Sequence, residues 1–351
     1  MESFKEWLAR TALAQGFARV GFASCEPFHR ERARLQDWFQ EGRAAQLPYL
    51  DPGAMLDPAR VLPGAATALV GFFPYARPEA VPGAAPGSLK LSRYLWGPDY
   101  HGVLKARLRA LLAQAQERRP GLRGRACVDT APLMERQLAV RAGLGWQGKH
   151  TLLIVPRRRC GGQAAPAMEG GPSARTGRSG PPFHDLEPGG SWGFLGVLLL
   201  DLALPPDPPF AADHCGSCTR CLDACPTAAL APYRLDPNLC LTTYTVETEA
   251  EPPAAVLRAL AGTGWAAGCD LCQEACPWNR APLWGDPALW GGASPLHTQD
   301  RDQAPVGVAR WQTLTRRTAL RRVRHRHWLA TLARILGSLP ERFRAPSKIC
   351  D

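Results

Sequence analysis

The chain has 351 residues, of which 45% are hydrophobic, and this length suits two or three domains with buried cores. The first twenty residues mix charged and apolar side chains, and the longest apolar run, at 193–200, is too short for a bilayer, so neither fits an export signal or a membrane span. We therefore expect a cytoplasmic protein whose 12 cysteines stay reduced, and in such a protein clustered cysteines indicate metal ligands.

Residues 1–205 alternate between predicted helices and predicted strands. Thr130 as an N-cap and Gly143 as a stop signal bound one of the helices. The alternation predicts an α/β layer domain. Helices are predicted at 3–15, in the second half of 92–116 and at 131–142, and strands at 18–23, 67–76, 125–130, 151–156 and 192–204.

Composition divides the rest of the chain. Residues 157–190 are rich in Gly, Pro, Ser and Arg without an apolar period, which predicts a flexible surface insertion in the first domain. A cysteine-rich block covers 206–282, and the chain from 283 to 351 becomes helical and rich in arginine. We therefore predict an α+β multidomain protein with an α/β domain, a cysteine-rich domain and a helical C-terminal region.

Two cysteine motifs lie in the central block. CGSCTRCLDACP at 215–226 has the spacing C-x2-C-x2-C-x3-C-P, which wraps a 4Fe–4S cluster in bacterial ferredoxins. CDLCQEACP at 269–277 supplies the last three positions of the same pattern, with Ala266 where a first cysteine is expected. Single C-x2-C pairs are typical of zinc ribbons, but the longer run favours a ferredoxin-like domain with two 4Fe–4S clusters.

The ligands of the two clusters follow from a rule of two-cluster ferredoxins, in which the last cysteine of each motif binds the other cluster. The first cluster is then held by Cys215, Cys218, Cys221 and Cys276. The second is held by Cys225, Cys269, Cys272 and the one cysteine left between the motifs, Cys240. Zinc sites or unliganded thiols are the alternative. No ligand spacing includes Cys25, Cys127, Cys160 or Cys350, which we predict to be non-ligating.

Positive charge is concentrated near the C-terminus. The net charge is +11, and ten arginines but only one acid, Glu341, lie between Arg310 and Arg344. Arginine pairs with phosphates, so this bias predicts a polyanionic partner such as a nucleic acid. A genome with high GC content, which encodes arginine frequently, is the alternative explanation.

Several motifs together resemble one family, the epoxyqueuosine reductases, which complete queuosine in the wobble position of tRNA. VDTAPLMER at 128–136 and the two-cluster block are the most specific of them. The others are EPF at 26–28, DPARVLPGA at 57–65, SRYLWGPDYH at 92–101, GLGWQGKHTLLI at 143–154, SWGFLGVLLLDLALPPD at 191–207 and CDLCQEACPWN at 269–279.

This resemblance implies an oxidoreductase with cobalamin on the α/β domain and the iron–sulfur clusters beside it. Electrons from an external low-potential donor would pass to cobalt, and the epoxide of the modified base would be reduced to the alkene. The partner would be a tRNA anticodon stem-loop carrying epoxyqueuosine, and we expect a monomer. Phosphate contacts are predicted at Arg316, Arg317, Arg321, Arg322 and Arg324.

Asp129 is the predicted catalytic residue. It stands where a strand ends and a helix begins, the edge at which α/β folds place ligands. Its neighbours are apolar, so we expect burial to raise its pKa and to keep a proton available for the epoxide oxygen. A simple helix cap is the alternative role of Asp129.

The resemblance also implies residues that contact cobalamin. Ordinary roles in surface salt bridges, caps and turns are the alternatives for several of them. The chain lacks the D-x-H-x-x-G motif, so the cofactor would bind without that histidine ligand. The implied contacts are Arg60, Ser92, Asp129, Lys149, Ser191, Thr242 and, beside Cys269, Asp270.

Three features of the sequence depart from the family pattern. GWQGKH stands where the family has G-W-I-G-K-N, which changes the residues at Gln147 and His150. Tyr244 is displaced by one position, and the insertion at 157–190 has no family counterpart. A corrinoid reductive dehalogenase and a plain electron-transfer iron–sulfur protein are the competing functions; the former usually carries a twin-arginine export signal, which this sequence lacks.

Overall fold

The computed structural model describes residues 2–77, 89–158, 186–286, 288 and 305–337. Its helices are α1 Phe4–Ala14, α2 Arg32–Gln40, α3 Pro52–Met55, α4 Tyr100–Arg118, α5 Glu135–Arg141, α6 Arg220–Asp223, α7 Ala254–Thr263, α8 Leu271–Glu274, α9 Val308–Thr315 and α10 His325–Leu336. Its strands are β1 Arg19–Ser24, β2 Thr67–Pro74, β3 Lys90–Leu91, β4 Gly124–Cys127, β5 Trp146–Gln147, β6 Leu153–Ile154, β7 Arg157–Arg158, β8 Leu186–Glu187, β9 Gly193–Leu200, β10 Leu230–Ala231, β11 Arg234–Leu235 and β12 Trp265–Ala267. Short 3-10 helices occupy Pro58–Arg60, Arg93–Leu95, Pro237–Leu239, Pro277–Asn279 and Ala319–Arg322, and a π-helix occupies Thr243–Glu247.

The central sheet has the strand order β1-β2-β9-β4, and each neighbouring pair in it is antiparallel. Alternate residues of β2 and β9 enter different hydrophobic clusters. Leu69 and Leu198 pack with α1 and α4, whereas Val70 and Val197 pack with α5. Both faces of the sheet are therefore covered by helices, which explains why these strands read as continuous apolar runs.

The helix predicted at 131–142 is shorter than expected. Helix α5 begins at Glu135, and its N-cap residue, Met134, makes no side-chain capping bond. The Thr130 hydroxyl instead donates to the Val128 carbonyl at 3.2 Å, so Thr130 as the N-cap was wrong. The segment between β4 and α5 is a tight turn, in which Asp129 has a φ of 51°. Few non-glycine residues adopt this left-handed conformation, although aspartate tolerates it better than most.

The cysteine-rich and C-terminal regions pack on the sheet domain through a shared hydrophobic cluster. Leu104 of α4, Trp265 of β12 and Trp328 of α10 all belong to it. Strand β12 also pairs in parallel with β3. The domain boundaries stay predictions, because the core runs through all three regions.

The ends of the predicted insertion are paired. Strands β7 and β8 form an antiparallel ladder at its base. The prediction of a flexible insertion concerns mainly residues 159–185, which lie outside the described residues. None of the helices in the described residues combines the length and the apolar character that a membrane-spanning segment requires.

Candidate active site

The structure brings the eight predicted ligand cysteines together as two quartets, with seven from the two motifs and Cys240 from the segment between them. In the first, burial and then the thiols of Cys215 and Cys218 raise the pKa of Cys221. Burial and the same three thiols raise the pKa of Cys276 to about 12. Cys276 comes from the second motif, so the grouping of these four side chains matches the predicted crossing of the last cysteine.

The second quartet forms in the same way. The pKa of Cys269 is raised by burial and by the thiols of Cys240 and Cys225. The pKa of Cys272 is raised by burial, then by Cys269, Cys240 and Cys225. Cys240, which follows the 3-10 helix Pro237–Leu239, therefore lies with the group to which ligand counting assigned it.

The quartets fit iron–sulfur clusters better than single metal ions. Among the described residues, no group of three or more His, Cys, Asp or Glu side chains is arranged to hold one metal ion. A 4Fe–4S cubane attaches each thiolate to a different iron, so its ligands stand further apart than those of a tetrahedral zinc ion. Buried thiols with raised pKa values also need a bound cation to become thiolates at neutral pH.

We expect Cys240→Ala to remove one cluster and leave the other. Iron and acid-labile sulfide should fall from about eight of each per chain to about four, because one cubane loses its fourth thiolate. Cys25→Ala, which removes a buried thiol outside both quartets, is the matched control. An unchanged iron content in Cys240→Ala would contradict the ligand assignment.

A cavity of about 390 Å³ lies between the second quartet and Asp129. All four cysteines of this quartet line it, and so does Asp129. The cavity is thus bordered by four clustered thiols on one side and a carboxylate on the other. Its size is typical of small-molecule sites. Other lining residues include Tyr75, Ser92, Tyr94, Tyr100, Glu135, His150, Ser191, Thr242 and Glu247.

Ser92, Ser191 and Thr242 line the cavity, as expected for cofactor contacts. Asp270 lies behind Ser92, fully buried, and accepts hydrogen bonds from the Ser92 hydroxyl and from the backbone N–H of Arg93. Burial raises the pKa of Asp270 to about 6. The bond from Ser92 orients that hydroxyl, and Asp270, predicted as a cofactor contact, is not itself part of the cavity lining.

Two predicted cofactor residues lie elsewhere. Arg60 is exposed, and its guanidinium lies close to the Cα of Gly53. Lys149 donates to the carbonyls of Gly216, at 2.6 Å, and Cys218, at 3.0 Å. The lysine is therefore held by the loop of the first quartet, and neither residue is part of the cavity lining.

Asp129 is held by two residues of α4. The Tyr100 hydroxyl donates to Asp129 Oδ2 at 2.8 Å, and His101 Nε2 lies 3.0 Å from the same oxygen. The Tyr100 ring is fixed in turn by stacking on Phe194 of β9 at 3.9 Å. Asp129 does not cap α5, and 60% of its side chain remains accessible within the cavity.

The expected rise in the pKa of Asp129 was wrong. Burial does act to raise it, but the hydrogen bonds from His101 and Tyr100 outweigh burial and lower the pKa below its ordinary value. Burial lowers the pKa of His101, but the bonds to Asp129 and Asp99 exceed this effect and raise it. The opposite directions of the two pKa shifts favour the proton on the imidazole over the carboxylate.

The histidine is bound on its other side by Asp99. His101 Nδ1 lies 2.7 Å from Asp99 Oδ1, and Arg321 Nε donates to Asp99 Oδ2 at 2.9 Å. This chain of contacts connects the arginine-rich C-terminal region to Asp129. Arg321, predicted as a phosphate contact, is thus engaged within the protein. Arg324 lies 3.5 Å from Glu249. All five predicted arginines are exposed, and no ion pair is recorded among the described residues for Arg316, Arg317 and Arg322.

Sequence reasoning missed Tyr100, His101 and Glu135. The first two belong to the quoted motif SRYLWGPDYH, which was the available signal for them. Glu135 is part of VDTAPLMER, and burial followed by the nearby charge of Asp129 raises its pKa to about 8. Its Oε1 is buried with no partner among the described residues.

An aromatic side chain and a cation flank Glu247, which also lines the cavity. Tyr49 is 63% exposed, and its hydroxyl donates to Glu247 Oε2 at 3.1 Å. Burial raises the pKa of Glu247, and the nearby guanidinium of Arg322 acts against this rise. Tyr49 and Arg322 therefore lie beside the same part of the cavity.

Comparison with known proteins gives two matching family models. The model described as 4Fe-4S double cluster binding domain matches residues 214–279, and that described as Epoxyqueuosine reductase QueG, DUF1730 matches residues 56–130. The first covers all eight cysteines of the quartets, and the second ends just after Asp129.

Similar proteins of comparable length are also known. An epoxyqueuosine reductase of Synechococcus sp. (strain CC9605) is 36% identical over 330 residues, which cover 92% of this chain and 91% of the relative. The structure of epoxyqueuosine reductase from Streptococcus thermophilus has a TM-score of 0.73 at 23% identity, covering 95% of this chain and 80% of that one. A crystal structure of an epoxyqueuosine reductase with an epoxyqueuosine-modified tRNA-Tyr stem loop matches with a TM-score of 0.73 at 22% identity, with the same coverage. The two structures show that the fold is shared.

Proposed function

The chain belongs to the epoxyqueuosine reductase family, and on that premise we propose that it reduces epoxyqueuosine to queuosine in the wobble position of tRNA. The reaction takes up two electrons and two protons, breaks both C–O bonds of the epoxide and releases water. The observation that carries the proposal is the cavity between the second cysteine quartet and Asp129. Electrons can reach it from one side and a proton from the other.

The cavity also suits the cofactors that this reaction requires. When bound, the two 4Fe–4S clusters carry single electrons and cobalamin supplies a strongly reducing cobalt centre. The hydroxyls of Ser92, Ser191 and Thr242 would hold the corrinoid through hydrogen bonds at the cavity wall. The cysteine quartets would hold the clusters, one beside the cavity and one beyond it.

The residues around Asp129 supply the acid chemistry. An epoxide oxygen leaves readily only when it is protonated, so a positioned proton donor is needed. The coupled His101 and Asp129 pair holds one proton close to the cavity, and the Tyr100 hydroxyl bonds the same carboxylate oxygen. Asp129 is the member that lines the cavity, and we assign it the transfer to the substrate.

An assay with the modified tRNA tests the proposal. Protein reconstituted with iron, sulfide and cobalamin and chemically reduced should convert epoxyqueuosine in tRNA to queuosine, read by nucleoside mass spectrometry. A protein without a corrinoid would instead be an electron-transfer module. Absence of corrinoid absorption after reconstitution, with no queuosine formed, would favour that alternative.

The exposed arginines beside the cavity favour an RNA substrate. Arg316 and Arg317 follow α9, and Arg322 ends the next 3-10 helix, on the same side of the molecule as Asp99. Exposed guanidiniums pair with phosphates, and an exposed aromatic such as Tyr49 suits stacking with an unpaired base. We propose that an anticodon stem-loop binds here.

We expect the triple change Arg316→Gln, Arg317→Gln and Arg322→Gln to weaken tRNA binding and to flatten its salt dependence. The slope of log Kd against log salt should fall by about 0.7 to 0.9 for each phosphate that the variant no longer neutralises. Affinity measured at several salt concentrations gives this slope.

The control removes the same charge elsewhere. Arg10, Arg118 and Arg119 lie around the far end of α4, whose 19 residues place that end about 28 Å from Tyr100. Their replacement by glutamine should leave the slope nearly unchanged. Equal slopes for the two triple variants would contradict an RNA-binding role for the C-terminal arginines.

A further inference from the structure

One buried histidine of the cavity takes no part in the proton path. His150 is only 3% exposed and lines the cavity. It lies in the loop between β5 and β6, in the stretch GWQGKH. Its buried position raises the question of which partner its ring nitrogens have.

The hydrogen bonds of the ring define its tautomer. His150 Nδ1 accepts the backbone N–H of Leu152 at 3.2 Å, so this nitrogen carries no proton. Burial and then the positive charge of Arg136 lower the pKa of His150 to about 4, so the ring is neutral at pH 7. The single ring proton is therefore on Nε2.

This Nε2–H group is left without a partner. Nε2 is buried, and among the described residues it makes no hydrogen bond. Burying an unsatisfied donor costs free energy that an apolar side chain of similar size would avoid. Since His150 is one of the residues that line the cavity, a bound molecule is the natural source of the missing acceptor.

We propose that His150 Nε2–H donates a hydrogen bond to an acceptor oxygen of bound cobalamin, and that His150 is not an axial ligand of cobalt. A metal ligand must offer a nitrogen lone pair. The Nδ1 lone pair already accepts from Leu152, and Nε2 carries the proton. Cobalamin offers two kinds of acceptor, the carboxamide oxygens around the corrin ring and the phosphate of its nucleotide tail.

Binding measurements test the donor role, which rests on the proposed function. Dissociation constants for hydroxocobalamin are compared among the wild type, His150→Phe, His150→Asn and a surface control, His29→Phe. Because one neutral hydrogen bond is lost, His150→Phe should bind hydroxocobalamin about two- to tenfold more weakly than the wild type does. His150→Asn keeps an N–H donor and should stay close to the wild type, as should the control.

Cobinamide, which lacks the nucleotide tail, distinguishes the two acceptors. If the acceptor is a corrin carboxamide, His150→Phe weakens cobinamide binding as well. If the acceptor is the phosphate, the effect is seen with hydroxocobalamin alone. Equal affinities of His150→Phe and the wild type for both corrinoids would overturn the proposal.

Electron paramagnetic resonance tests the second half of the proposal. Cobinamide has no base of its own, so any nitrogen splitting in the spectrum of its Co(II) form must come from the protein. We expect no nitrogen splitting in the wild type. A splitting that is present in the wild type and absent in His150→Phe would show an axial histidine and overturn the proposal.

A failure of the proposed function and a failure of the His150 proposal give different results in these measurements. A wild type that binds no corrinoid contradicts the proposed function itself, whereas variants that bind as tightly as the wild type contradict only the role of His150. Circular dichroism and iron content check the fold of His150→Phe, and His150→Leu replaces it if the ring is not accommodated. The expected absence of nitrogen splitting is measured on the wild type alone, so this part of the test does not depend on whether a variant folds.

Discussion

Asp129→Asn should lower the turnover of epoxyqueuosine by about two to four orders of magnitude, the usual loss on removing a positioned acid or base. Asparagine has the same shape and tolerates the φ of 51° at this position. It can still accept from the Tyr100 hydroxyl, but it cannot hold or pass a proton. Single-turnover conversion, measured by nucleoside mass spectrometry, gives the rate.

A loss of turnover in Asp129→Asn points to a missing proton donor only if the variant still binds both clusters, the corrinoid and the tRNA. Iron content should match the wild type, because Asp129 belongs to neither cysteine quartet. The corrinoid and the tRNA should still bind, because asparagine keeps the shape of the side chain that lines the cavity. Asp201→Asn, which removes a carboxylate paired with Arg123 outside the cavity, is the matched control and should keep full activity. Near-normal turnover by Asp129→Asn with intact cofactors would transfer the proton donor's role to Tyr100 or to water.

The two cysteine quartets could be predicted because most of their ligands lie in short motifs whose spacing can be read directly from the sequence. Ligand spacing within each motif, with one rule for the crossing cysteine, was sufficient to group the seven thiols of the two motifs. Cys240 was included by counting alone. The position of Asp129 at the end of β4 was equally readable, since a buried strand followed by polar residues marks a sheet edge.

The sign of the Asp129 pKa shift could not be read in this way. Its two partners precede it by 29 and 28 residues and reach it only because α4 packs on the sheet. The apolar neighbours in sequence suggested burial alone, and burial alone would have raised the pKa. Lys149 shows the same limit, because its contact with the loop at Gly216 depends on how two distant segments meet.

Strand direction was a further property that the pattern left open. Alternating helices and strands predict a layered domain, but an antiparallel sheet covered on both faces gives the same apolar runs as a parallel one. The register of β2 against β9, with Val70 opposite Val197, places helices on both faces without parallel crossovers.

His101→Gln is expected to have the second largest effect and to change the pH dependence of the reaction. The bonds to Asp129 and Asp99 raise the pKa of His101, so in the wild type the pair keeps its proton to higher pH than a histidine without these partners would. Turnover should therefore be highest at lower pH and fall as pH rises through the pKa of the pair. Asp129, with its lowered pKa, stays ionised over the same range and does not produce this fall.

The charges around His101 determine how the profile should move. Asp99 and Asp129 stabilise the imidazolium, and Arg322 opposes it. In His101→Gln the remaining titratable member of the pair is Asp129, whose ordinary pKa is about 3.9. In this variant, the falling limb of the curve of turnover against pH should move to lower pH by more than one unit, and turnover at pH 7 should fall at least about tenfold.

Asp99→Asn provides the graded comparison. It keeps the imidazole but removes the negative charge 2.7 Å from Nδ1, so the pKa of His101 should fall and the limb should move part of the way. Full pH profiles of turnover for the wild type and both variants, together with tRNA and corrinoid affinities at each pH, separate this effect from impaired binding. A merely structural histidine would lower the plateau in His101→Gln and leave the limb in place. If the falling limb of the pH profile lies at progressively lower pH in the order wild type, Asp99→Asn, His101→Gln, the transferred proton comes from the His101 and Asp129 pair. Asp99→Asn removes one of the charges that stabilise the imidazolium, and His101→Gln removes the imidazole itself.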